Sequence, residues 1–280
     1  MIKIISDSST LYTVSEAKDK GFYSVPLHVT IGNDSYRDLE DISSEQLLKM
    51  IEDGAIPKTS QPSIGEKIAL YDELSKDNEV IDITMAGGLS GTYQAALTAK
   101  NTCERPDKIH VVDSMTLCGP HRYMVDLALQ MAKENKSVKE IIEMIKSARA
   151  NEISYLVPFD FDFLVRGGRV KGLAAKLGGL LKLIPILKKG ENGEGLNKFA
   201  VCKTTRKAIL DVVNDLKEAG ATAKATFYVS HANNFELADK FATKIKEVFE
   251  GAKVIIYPLS PAFISQGGPD CVAIQSIEIK

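Results

Sequence analysis

Short apolar runs alternate with stretches of helical period through the first half of the chain. IKII (2–5), YSVPLHVTI (23–31), EVIDITM (79–85) and KIHVVD (108–113) are dense in β-branched residues and predict strands. Residues 63–76, 91–103, 119–135 and 137–150 predict helices. Ser63-x-x-Glu66 behind Pro62 has the form of a capping box and marks one helix start. Alternation of this kind predicts a three-layer α/β domain built on a mainly parallel sheet.

The pattern changes near residue 151. ISYLVPF begins a stretch in which Gly167, Gly168, Gly172, Gly178 and Gly179 interrupt apolar positions. KFAVCKT, a helical segment at 205–219, ATFYVSH, another helix at 234–249 and KVIIYPLS then make a second α/β unit. The expected division is therefore 1–152 and 153–280.

Composition narrows the class. The 280 residues are 44% hydrophobic and 26% charged, as in an ordinary globular protein of one or two domains. A net charge of −2 carries no nucleic-acid footprint. No apolar run reaches the length of about 18 residues that a membrane span needs. MIKIISDSST reads as a strand entering a polar turn, not as a signal peptide. Cys103, Cys118, Cys202 and Cys271 form no CxxC pair and fit reduced cysteines in a cytoplasm. The histidines are equally dispersed, so spacing yields no metal site.

Candidate chemistry lies in the turns. In an open α/β sheet, ligands gather at the carboxyl ends of strands, where helices begin and their first amides are free. SDSST (6–10), TSQPS (59–63) and GGLSGT (87–92) are such turns. Ser and Thr in them also suit ordinary helix caps. A cap needs one hydroxyl, though, and not the three glycines Gly87, Gly88 and Gly91, which allow a ligand close to the backbone. None of the turns has Walker-A or GxGxxG spacing, and Ser90 is not in a GxSxG elbow. His110, His121 and His231 are possible bases, but spacing pairs none of them with a serine. A hydroxyl-lined anion site suggests a carboxylate or phosphate whose remainder is held by other means.

TSQPSIGE (59–66), GLSGTYQAA (88–96), VVDS (111–114), FLVRGGRV (163–170), LLKLIPIL (180–187) and KTTRKA (203–208) follow the order seen in the DegV family. DSS (7–9), Pro26-Leu27 and Tyr36-x-Asp38 agree, so the resemblance spans almost the whole chain. It implies two α/β domains of the DegV fold with a ligand tunnel between them. The first would carry the carboxylate-binding turns, and the second would cover a single long-chain fatty acid. By motif, Thr59 and Ser90 become the leading carboxylate donors, assisted by Thr92 and the backbone of Gly91 and Thr92. Some members resemble the FakB subunit of bacterial fatty acid kinase, which presents its bound acid to a separate ATP-dependent kinase. The resemblance then implies a cytoplasmic lipid-binding carrier in phospholipid metabolism, non-catalytic alone, with no metal and no cofactor besides the bound acid.

One departure stands out. Where the family commonly has His-x-Gly-Pro, this chain reads SQGGPD (265–270), which puts Gln266 at the head group. Glutamine donates a hydrogen bond but carries no charge.

Residues 163–190 hold Arg166, Arg169, Lys171, Lys176, Lys182, Lys188 and Lys189 with no acidic residue. The plain expectation is a buried helix whose lysines reach solvent. The functional one is a face for an anionic membrane, the kinase or a phosphate, on a lid weakened by its glycines. Arg166 and Arg169 there, with Arg206 in KTTRKA, are the candidate partner or phosphate contacts. Two other functions remain open: an enzyme, either a Ser90-dependent hydrolase or a phosphoryl-transfer protein, and a lipid-sensing regulatory protein.

Overall fold

The computed structural model describes residues 1–170, 183–190, 193 and 195–279. Backbone contacts divide the chain into two units, one of Met1–Ala150 with Ser260–Ala262, the other of Asn151–Leu259 with Phe263–Lys280.

The first unit is built on a parallel sheet of β1 (Ile2–Asp7), β2 (Tyr23–Val25), β6 (Glu79–Thr84) and β7 (Ile109–Asp113), in the order β2-β1-β6-β7. Its strands read as near-continuous apolar runs because both faces are covered. Ile4, Ile5, Val80, Ile81, Ile83 and Ile109 are almost wholly buried. The covering helices include α3 (Ile64–Leu74), α4 (Thr92–Thr102) and α5 (Cys118–Lys133), with α6 (Val138–Ala150) following. Tyr71 and Leu74 of α3, Ala99 of α4 and Val80 of β6 share one apolar cluster.

YSVPLHVTI does not run as one strand. Pro26 has no N–H to offer a ladder. The chain turns there, and Leu27 N donates to Ser8 Oγ at 3.1 Å. The remainder becomes β3 (His28–Ile31), which pairs antiparallel with β4 (Asp34–Arg37) and β5 (Lys58–Ser60) in a separate three-stranded sheet. Two short helices escaped the periodicity reading, α1 (Val14–Lys20) and α2 (Ser44–Glu52). Both carry reciprocal capping boxes, Thr13 with Glu16 and Ser43 with Gln46. At Ser63 the structure shows one half of such a box, with Glu66 N donating to Ser63 Oγ at 3.3 Å.

The second unit is a six-stranded mixed sheet of order β10-β9-β8-β13-β11-β12. Its strands are β8 (Ile153–Val157), β9 (Ile184–Lys189), β10 (Leu196–Cys202), β11 (Thr226–His231), β12 (Lys253–Pro258) and β13 (Val272–Ile277). Helices α8 (Thr205–Glu218) and α9 (Phe235–Val248) bury Val212, Leu216, Phe241 and Ile245 against Phe227, Val229 and Ile274. Two further helices are short, α7 (Phe161–Gly167) and α10 (Pro261–Gly267).

The basic segment is not one helix. Its start is α7, and its end is strand β9, where Lys188 pairs with Asp215 and Lys189 with Glu152. Lys171, Lys176, Lys182 and the glycines 172, 178 and 179 lie outside the described residues.

Candidate functional site

Strand β1 has β2 on one side and β6 on the other, so the strand order reverses between β1 and β6. The crevice at the carboxyl ends of those two strands is where such sheets take ligands. SDSST follows β1 there, and GGLSGT follows β6.

The first of these turns is wired into the interior. Ser8, Ser9 and Thr10 are all buried. Ser8 Oγ donates to Asp38 Oδ2 at 2.7 Å, and Thr10 Oγ1 donates to Asp7 O at 3.1 Å. His121 Nε2 meets Ile83 O at 3.0 Å and must donate to it, because a carbonyl only accepts. Nδ1 is then left to accept from Ser9 Oγ. His121, one of the candidate bases, thus serves Ser9 and the β6 backbone.

The GGLSGT turn is held from below by three neighbours. Met85 N donates to Asp7 Oδ2 at 2.9 Å, and Ala86 N donates to Thr116 O at 2.8 Å. Gly87 N lies 3.2 Å from both oxygens of Asp113. A side chain at Gly87 would reach within 2.8 Å of Asp113 Oδ2, which explains the glycine. The VVDS motif therefore positions the turn, a role that spacing could not reveal.

Above this base, Ser90 Oγ and Thr92 Oγ1 lie 2.8 Å apart, and Thr92 N donates to Ser90 Oγ at 3.3 Å. Both residues stand at the start of α4, whose N-cap, Gly91, brings no side chain to its first turn. Hydroxyls and amides at a helix start make a neutral donor set suited to a carboxylate. Among the described residues, no histidine is hydrogen-bonded to Ser90. His110 meets Glu79 Oε2 at 2.9 Å, and His231 Nδ1 accepts from Asn234 N at 3.2 Å.

Thr59 lies on β5 opposite Val29 and is half-buried. Its turn reaches GGLSGT through a residue that the sequence reading passed over. The Gln61 side chain lies against Gly91, with Oε1 only 2.1 Å from where a β-carbon on that glycine would stand.

In the second unit, Gln266 lies on α10 and rests on Gly167 in the same manner, its Oε1 2.0 Å from the place of a β-carbon. Arg166 is exposed, with its guanidinium 4.6 Å from the centre of the Phe163 ring. Arg169 is half-buried and donates to Gly167 O, and burial holds its pKa below the ordinary arginine value. Arg206 is exposed in the first turn of α8, behind the capping residue Thr204. Among the described residues, no group of three or more His, Cys, Asp or Glu is placed to hold a metal ion. No described helix is long and apolar enough to cross a membrane.

Residues 1–278 match the family described as "Uncharacterised protein, DegV family". A DegV domain-containing protein of Staphylococcus aureus (strain N315) is 30% identical over 274 residues, covering 97% of this chain and 96% of its own. Among solved structures, DegV of Bacillus subtilis, described as a fatty acid binding protein, superposes with a TM-score of 0.86 at 26% identity. That match covers 99% of this chain and 98% of the other. A Thermotoga maritima protein, described as revealing fatty acid binding function, gives a TM-score of 0.83 at 27% identity over 100% of this chain and 99% of its own. With the two-unit α/β architecture and the motif turns in place, the chain belongs to the DegV family.

Proposed function

We propose that this protein binds one long-chain fatty acid, with its carboxylate at the start of α4 and its tail in an apolar cavity. Thr59, Ser90 and Thr92 supply hydroxyl donors, and Gly91 and Thr92 supply backbone amides. The observation that carries this reading is the meeting of the TSQPS and GGLSGT turns at Gln61 and Gly91, beside the crevice between β1 and β6. The fatty acid binding described for the Bacillus subtilis and Thermotoga maritima relatives supports it.

The energetics divide between tail and head. At about 0.8 kcal/mol per buried methylene, a tail of roughly 16 carbons gains on the order of 10 kcal/mol before ordering costs. The head group needs only enough hydrogen bonds to offset its desolvation. Uncharged donors do that and leave a carboxyl oxygen able to attack a phosphoryl donor. In the same reading the protein presents its acid to a separate ATP-dependent kinase for acyl-phosphate formation, as a carrier without chemistry of its own. The unpaired position of Ser90 relative to any histidine favours a carrier over a hydrolase.

The test is direct. Protein purified without added lipid, then denatured and extracted, should yield close to one fatty acid per chain by mass spectrometry. Ser90→Ala should weaken re-binding of the acid about tenfold, the worth of one charge-assisted hydrogen bond. Protein that emerges empty and fails to take up fatty acid would end the proposal.

A further inference from the structure

Gly91 has φ −69° and ψ 0°, a conformation open to any residue. The backbone angles therefore do not require glycine there, although glycine caps a helix start better than alanine does. Space requires it. A β-carbon at Gly91 would stand 2.1 Å from Gln61 Oε1 and 3.3 Å from Gln61 Cδ. The neighbour is the far end of an exposed, flexible side chain, and such a contact contributes little to folding. Glycine at the cap therefore leaves a seat for the glutamine amide at the amino end of α4.

The seat also orients the amide. The carbonyl oxygen faces the amino end of α4, where the helix's partial positive charge favours it. Of the Gln61 side chain, only Oε1 and Cδ come within 4 Å of the β-carbon position, so Nε2 lies beyond that distance. The same construction recurs in the second unit, where a β-carbon at Gly167 would meet Gln266 Oε1 at 2.0 Å. Gly167 likewise has no left-handed φ to account for it.

We propose that Gln61 is a further head-group residue: Gly91 seats its carbonyl oxygen, and its Nε2–H group donates to the carboxylate alongside Ser90. This rests on the proposed fatty acid site and adds to it a residue and the glycine that aims it. A side-chain amide donor adds directional recognition of an oxygen acceptor without adding charge.

The test is a double-mutant cycle on delipidated full-length protein, titrated with palmitic acid and with the corresponding alcohol. Gln61→Ala should weaken acid binding about tenfold and alcohol binding less than twofold, since an anionic acceptor gains most from the lost donor. Gly91→Ala should retain the fold and lose acid affinity to a similar degree by displacing the amide. In the Gln61→Ala background, Gly91→Ala should cost nothing more. Rescue belongs to the cycle as well: Gln61→Glu, of the same shape but without the donor, should fail to restore acid affinity at neutral pH. If Gln61→Ala binds the acid as the unaltered protein does, or if the two losses multiply, the inference is overturned while the Ser90 site stands. If the unaltered protein shows no preference for acid over alcohol and Ser90→Ala changes nothing, both proposals fall together.

Discussion

Asp38 joins three stretches of chain that lie far apart in sequence. Its Oδ2 accepts from Ser8 Oγ at 2.7 Å and its Oδ1 from Ala262 N at 2.9 Å, while its own amide donates to Leu27 O at 2.8 Å. Burial pushes the carboxyl up from 3.8 to about 6, against hydrogen bonds from Ser8 and Ala262 that hold it down, and with Asp7 raising it further. The folded protein thus binds this proton more tightly than the unfolded chain does. The contribution to stability is complete below the unfolded pKa of 3.8 and is lost as pH rises through about 6. A shift of this size corresponds to about 3 kcal/mol at 1.36 kcal/mol per pKa step. Asp38→Asn removes the titration and keeps an acceptor and the shape. The stability advantage of the unaltered protein over this variant should therefore shrink by roughly 3 kcal/mol between about pH 4 and pH 7, as read from urea unfolding. A constant difference across that range would show that Asp38 does not titrate there. The same residue shows where sequence reading stops. Tyr36-x-Asp38 is visible as a motif, but its partners lie 30 and 224 positions away, and no local pattern encodes them.

At the scale of elements, α3 and β6 are joined by an ion pair with no solvent exposure at either end. Lys67 Nζ and Asp82 Oδ2 lie 2.5 Å apart, and Tyr71 OH donates to the same oxygen. Asp82 Oδ1 is buried without a hydrogen-bond partner. Burying two charges costs several kcal/mol each, so such a pair holds a position more than it adds stability. Lys67→Met alone strands a buried carboxylate and should cost about 3–5 kcal/mol. Adding Asp82→Val and Tyr71→Phe removes the stranded groups, and most of that loss should return in denaturant unfolding. A triple variant as unstable as the single one would mean that the ion pair itself carries the stability. Most elements of the first unit were legible because strand runs and helical periods follow from burial on both sides of a parallel sheet. The failures have local causes. YSVPLHVTI reads as one strand until Pro26 is given its missing N–H, and α1 and α2 are too short for periodicity but not for their capping boxes. The basic run at 163–190 carried two opposite signals, apolar residues with lysines and helix-weakening glycines, and its last part proved to be strand β9. Lys67, in the first turns of a helix that looked merely amphipathic, gave no sign of its buried partner. In the candidate site, the hydroxyls were legible from their motif. Gln61, Asp7 and Asp113 also stand in quoted motifs, but their contacts were not legible, because they are made across turns that meet only in the fold.

Across the whole molecule, charge is unevenly shared. Residues 1–150 carry 17 basic and 23 acidic side chains, and residues 151–280 carry 18 and 14, giving −6 and +4 within a total of −2. Nothing about either sheet demands this asymmetry, since net charge governs association and solubility more than fold. It matters for the proposed hand-over to a kinase, because acid binding and partner recognition then depend on different residues. Arg206 separates the two cleanly. It is exposed in the first turn of α8, a helix that opens with no acidic side chain, and Lys207 beside it is paired with Asp211. Arg206→Glu should therefore leave palmitic acid affinity within about twofold, since it touches none of the proposed head-group donors. Acyl-phosphate formation with the kinase and ATP should slow about tenfold at low salt through weaker encounter. Raising the salt should slow the unaltered pair and narrow the gap between the two proteins, because charges separated by more than about 8–10 Å are screened under those conditions. Equal losses in binding and in phosphoryl transfer would place Arg206 at the acid itself. A rate deficit indifferent to salt would mean that its role is contact geometry and not electrostatic attraction. Either result would break the separation between acid binding at the head-group donors and partner recognition at Arg206.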